Sequence, residues 1–295
     1  MESRIARVFL LLSKKIRGIL ESIKFQESIF ALPFAYLGMV LAAGGFPGWS
    51  VVIWITVCMV FARALGMSVN RIVDRHIDAL NPRTFARHLP SGSLMPLDLV
   101  AFSLFAATVF VIGAYQLNLL ATILAPVAIA YLILYPFTKR FTWGSSFFLG
   151  CALGIAPSAA WIGVLGKISW EPILLSAAVT FWATSFDILY HIQDRDFYIR
   201  QGLFSVSQKF GVRFSFGMAA ILDVLAVACL ILLGWYVELS YHYFVGCILA
   251  SAFLVYKYFI VRPSKMQKLS LAFYRINAYV STVMFGATLI AVLSS

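Results

Sequence analysis

The chain has 295 residues, of which 62% are hydrophobic and 12% charged, and a formal net charge of +11. Soluble domains carry about 45–50% apolar and about 25% charged residues; so little charge cannot cover a soluble protein of this length, and the excess apolar surface must face lipid. The positive charge would suit nucleic acid, but the chain has no soluble basic domain to bind it, so no nucleic-acid partner is expected.

In chain order, residues 1–26 form a basic amphipathic segment suited to the membrane interface. They lack a small-residue cleavage site after a long apolar core, so a cleaved signal peptide is not expected. A helix needs about 20 apolar residues to cross a bilayer. Spans are expected near 28–45, 50–70, 96–115, 118–137, 145–165, 171–190, 214–235, 241–261 and 274–294. The expectation is an all-α membrane protein of about nine transmembrane helices around a central cavity, with residues 1–295 forming one domain. Cys58, Cys151, Cys229 and Cys247 sit in apolar runs without metal-ligand spacing and read as small hydrophobes.

The charges order these spans. Of the 23 Lys and Arg residues, 21 precede the first span or stand after, or at the end of, an even-numbered one; only Arg63 and Lys167 do not. By the positive-inside rule the N-terminus and the even-numbered loops are cytoplasmic. The setting is a multi-pass protein of the cytoplasmic (inner) membrane.

Only 12 residues are acidic, and ionisable groups at membrane depth are costly and usually functional. After the second span, NRIVDRHID places Asn70, Asp74 and Asp78 at intervals of four, one row along a helix face. Arg63 lies almost two turns deeper on roughly that face. Two carboxylates and an amide oxygen suit a hard cation, Mg²⁺ best; an ordinary Asp–Arg ladder at a solvated helix end is the alternative. After the sixth span, Asp187, Tyr190 or His191, and Asp194 share a second face, followed by Asp196. Two acidic faces ending on one membrane side would repel unless a cation bridged them. Arg71, Arg83, Arg87, Lys139, Arg140 and Lys209 surround them, and such side chains suit diphosphate oxygens; attraction to lipid head groups explains them equally well. No nucleotide-binding glycine motif is present.

These motifs resemble those of the UbiA superfamily of intramembrane prenyltransferases. NRIVDRHID matches its NxxxDxxxD signature, the stretch from Asp187 to Asp194 its second aspartate motif, and DALNPRTFARHLPSG and YPFTKRFTW its quinone-biosynthesis branch. The resemblance implies Mg²⁺-dependent transfer of a polyprenyl group from polyprenyl diphosphate to an aromatic acceptor such as 4-hydroxybenzoate, in ubiquinone or menaquinone biosynthesis. It makes Asp74, Asp78, Asp187 and Asp194 catalytic, with metal held by Asn70, Asp74, Asp78, Asp194 and Asp196. One position departs: the family's second motif carries an acid four residues after Asp194, where this chain has Tyr198. Arg63 becomes a candidate anchor for the acceptor's carboxylate, or else neutralises the aspartates. Tyr190 is a candidate acceptor ligand or an interfacial anchor. Asp223, in the seventh span, is expected to face the interior without an assigned role. The rival readings are an ion-coupled transporter, with acids near the midplane, and prenyl transfer to haem, a chlorophyllide or glycerol phosphate.

Overall fold

A computed structural model describes residues 13–24, 28–261 and 269–294, with side chains of 28–31 and 269–274 outside the description. The expected interfacial segment 1–26 therefore falls largely outside the described residues; within it, residues 13–22 belong to a helix, α1. Every regular element among the described residues is a helix, as the apolar runs and the absence of alternating patterns require. The helices are α2 (Ser28–Ala43), α3 (Trp49–Leu80), α4 (Pro96–Leu117), α5 (Leu119–Leu134), α6 (Ser145–Leu165) and α7 (Glu171–His191). A short α8 (Arg195–Gln201), α9 (Val206–Tyr236), α10 (Tyr241–Ile260) and α11 (Leu269–Leu293) follow.

Among the described residues, eight helical stretches are long and apolar enough to cross a membrane. The expected span missing from these eight is the first, 28–45: it corresponds to α2, whose 16 described residues rise about 24 Å, short of the ~30 Å hydrocarbon core. By contrast α3, with 32 residues, rises about 48 Å. Its final turns, which carry the NxxxDxxxD row, therefore project beyond the apolar core. Asn118 caps α5, accepting from the Ala121 amide at 2.9 Å, and its Nδ2 bonds the Ile162 and Gly163 carbonyls at the end of α6. The α4–α5 and α6–α7 connections thus meet at one end of the bundle. The three basic connections, 81–95, 135–144 and 192–205, meet at the other: Phe204 N bonds Lys139 O at 2.8 Å, and Arg83 reaches Asp194.

Two glycines fix the geometry that positions the site. Gly154 lets α6 lie against α7: a Cβ there would strike Thr180 Oγ1 and approach Ser176 O to 2.8 Å. Gly211 has φ 84°, a left-handed conformation that glycine adopts without strain. It kinks α9, so its first turn lies at the basic end before the helix enters the bundle. The largest cluster of buried side chains joins α2, α6, α7, α9, α10 and α11, with Phe34, Trp182 and Tyr243 among its members.

Candidate active site

Asp74 and Asp78 on α3, Asp187 on α7 and Asp194 in the 3-10 turn after it are all buried. They line one end of a single cavity of about 800 Å³. Burying four carboxylates together demands compensation, and the basic connections supply it. Lys139, from the 3-10 turn after α5, ion-pairs with Asp74. Arg87 Nη1 donates to both oxygens of Asp78, at 2.8 and 2.7 Å. Arg83 forks onto Asp194, Nε to Oδ1 at 3.0 Å and Nη2 to Oδ2 at 2.5 Å. Its Nη1 bonds the Tyr190 hydroxyl at 2.5 Å, and its guanidinium lies over the Tyr190 ring. Burial works against the Arg83 charge, yet the Asp194 and Tyr190 contacts hold its pKa above the ordinary arginine value. Asp187 faces His191, whose Nδ1 lies 3.0 Å from Oδ2.

Asn70, Arg63 and Arg71 line the same cavity. Arg71 also ties the chain entry to α3, its Nε donating to Ser22 O at 3.0 Å. Three residues expected at the site do not face the cavity. Arg140 sits beside it, bonding Val73 O at 2.6 Å and lying 4.0 Å from Asp74 Oδ1. Lys209 lies over the Trp143 and Phe210 rings, as an interfacial cation does. Asp196 points outward, with its side chain 81% exposed and its carboxylate beside Arg195. Two residues past Asp194 is about 200° around a helix, so α8 turns the two acids to opposite sides.

Away from this end the cavity becomes apolar, reaching Ile55, Leu117, Ala121 and Ile162. From Asp78 to Ile55 it follows α3 through about 35 Å of rise. The shape is that of a chamber with a charged mouth and a long hydrocarbon lane.

The sequence model of the UbiA prenyltransferase family matches residues 31–286. The chain belongs to the UbiA prenyltransferase family. A 4-hydroxybenzoate octaprenyltransferase from Aliivibrio fischeri is 33% identical over 257 residues, 86% of this chain and 88% of that one. Among solved structures, the apo form of a UbiA homologue from Aeropyrum pernix superposes with a TM-score of 0.82. It is 28% identical and the match covers 90% of this chain and 98% of that one. A UbiA homologue from Archaeoglobus fulgidus bound to DMAPP and Mg²⁺ shares the fold, with a TM-score of 0.66 at 18% identity over 90% of this chain and 99% of that one.

For a UbiA family member the donor chemistry at the charged mouth is informative. The four carboxylates and the Asn70 amide offer oxygen donors, and Asp74 Oδ1 is buried without a hydrogen bond. Among the described residues no three His, Cys, Asp or Glu side chains gather closely enough to cage an ion by themselves. Both features fit Mg²⁺, which takes one or two carboxylates and completes its shell with water and phosphate oxygens.

Several contributors escape a reading of the sequence. Asn81 Nδ2 bonds Asp194 Oδ1 at 3.1 Å; its place in the NPRT stretch was the signal. Lys24, counted only as a topological charge, lines the cavity; so do His191, which the sequence offered beside Tyr190 on the second face, and the buried Tyr198 that stands in place of the family's acid. Lys257, also counted among the loop charges, is buried inside α10 and pairs with Asp223 Oδ2 at 2.6 Å. Asp223 faces the interior as expected, and this is its partner.

Proposed function

We propose that the protein transfers a polyprenyl group from its diphosphate to a 4-hydroxybenzoate-type aromatic acceptor, in ubiquinone or menaquinone biosynthesis, with Mg²⁺ as cofactor. The observation that carries this reading is the gathering of four carboxylates and three loop cations at one end of a largely apolar chamber. The Aliivibrio fischeri relative's name and the Mg²⁺ in the Archaeoglobus fulgidus structure agree with it.

Asn70, Asp74 and Asp78 would hold one ion, and Asp194 a second. Bound Mg²⁺ would draw charge from the diphosphate and so ease its departure. Arg83, Arg87 and Lys139, which pair with these acids, would also serve the phosphate oxygens. The allylic C–O bond breaks with its electron pair leaving on the diphosphate; a ring carbon of the acceptor forms the new C–C bond. The ring proton is then lost, and Asp187 faces the cavity where it can take it. The apolar lane holds the prenyl tail and keeps water from the carbocation. Residues 79–95 and 193–212, which carry Arg83, Arg87 and Asp194, would act as lids. The chain would work as one unit in the cytoplasmic membrane, with the basic end cytoplasmic.

The transporter alternative needs acids poised near the midplane. Asp223, the acid within α9, is instead held by Lys257 and by the Tyr258 hydroxyl at 2.6 Å.

The test is product formation from labelled polyprenyl diphosphate and 4-hydroxybenzoate in membranes carrying the protein. Prenylated benzoate that disappears with EDTA and in Asp74→Ala is the expected result. Wild-type membranes that make no product would overturn the reading.

A further inference from the structure

The two sides of the cavity differ in chemistry. Facing α5 and α6 it is lined largely by small and aliphatic side chains, including Ala121, Ala125, Ala128, Ala152 and Ala156. Facing α2 and α7 it carries the aromatic side chains Phe34, Trp182 and Phe186. Trp182 stands between Phe34 and Phe186, with ring centroids 5.0 and 5.1 Å away, and all three line the cavity with Asn277. Ile276 and Val280, on either side of Asn277, pack in one cluster with Phe34 and Trp182.

Two polar groups in this nook lack partners. Asn277 is 7% exposed and Trp182 6%, yet Asn277 Oδ1 and Trp182 Nε1 make no hydrogen bond. A buried donor or acceptor left unsatisfied costs about 1–3 kcal/mol, and native interiors seldom tolerate one without a reason. Both residues line the chamber beside the Phe34 and Phe186 rings, each with a buried polar atom to satisfy. Trp182 lies five residues before Asp187 on α7, about 7.5 Å deeper along the axis. A planar ring seated there lies below the charged mouth and beside the small-residue lane.

We propose that Asn277 and Trp182, with Phe34 and Phe186 as walls, form the seat of the aromatic acceptor. Asn277 Oδ1 receives the ring hydroxyl's hydrogen bond, and Trp182 Nε1 donates to an oxygen on the same molecule. The proposal rests on the prenyl-transfer reading for the identity of the acceptor. A site built to bond a hydroxyl discriminates against the analogue that lacks it, because its own polar atom is then stranded.

The test is equilibrium binding of 4-hydroxybenzoate and of benzoate to the full chain in lipid nanodiscs. An unreactive geranyl thiolodiphosphate and Mg²⁺ are present throughout. Wild type should bind 4-hydroxybenzoate at least about tenfold more tightly than benzoate. In Asn277→Leu that gap should close, and Trp182→Phe should weaken both ligands. Unchanged affinity for the thiolodiphosphate shows that each variant is folded. A gap that persists in Asn277→Leu overturns the proposal, as does wild type that binds neither ring. Failure of the functional reading is distinguishable: wild type that binds 4-hydroxybenzoate through Asn277 but makes no prenylated product keeps the seat and loses the reaction.

Discussion

Arg83 and Asp194, 111 residues apart in the chain, meet in a two-pronged ion pair at 3.0 and 2.5 Å. The pair joins the connection after α3 to the turn after α7. It therefore holds the two acidic faces together at the mouth of the cavity, and it must open if both partners are to serve a bound diphosphate.

Arg83→Lys keeps the charge but loses the planar fork. We expect the KM for prenyl diphosphate to rise about tenfold or more while the KM for the acceptor stays within about twofold. Steady-state kinetics in membranes, varying each substrate in turn, checks this. An equal rise in both values would mean that Arg83 acts only as a structural tie.

Asp78→Asn preserves size and removes charge at the end of the NxxxDxxxD row. Arg87, which donates to both Asp78 oxygens, would then face a neutral amide. The expected outcome is a loss of activity of about 100-fold or more, with the Mg²⁺ concentration for half-maximal rate shifted upward. A Mg²⁺ titration of the residual activity provides the measurement.

Lys257 and Asp223 form a buried pair that extends to Ser185 Oγ, 3.2 Å from Lys257 Nζ. Lys257→Met leaves Asp223 buried and uncompensated, which costs about 3–5 kcal/mol. The double variant Lys257→Met with Asp223→Leu should recover most of that loss. Thermal unfolding in detergent for both variants tests the coupling, and a double variant as unstable as the single one would contradict it.

Gly154→Ala places a methyl group against Thr180 and the Ser176 carbonyl. Overpacking of this kind costs about 1–3 kcal/mol, so a lowered Tm is expected. Because α7 carries Asp187, a smaller drop in activity should accompany it.

Much of this was legible in the sequence because membrane constraints write themselves locally. The apolar runs marked the long helices, and the spacing of Asn70, Asp74 and Asp78 required one face of α3. What stayed hidden depends on contacts across the chain. Lys257 lies near the end of an apolar run and counted as a loop cation, since nothing local reveals that Asp223, 34 positions earlier, receives it. Asp196 is a neighbour of Asp194 in sequence, but the turn into α8 separates them in space. Asn277 drew no attention because its meaning comes from Trp182, on a helix nearly a hundred residues earlier.

The most direct measurement is the binding of geranyl thiolodiphosphate to the purified protein in nanodiscs, with and without Mg²⁺, in wild type and in Asp194→Asn. The account predicts Mg²⁺-dependent binding by the wild type that weakens about tenfold or more in the variant. Binding that ignores both Mg²⁺ and the loss of the Asp194 charge would contradict a metal–diphosphate site at the charged mouth.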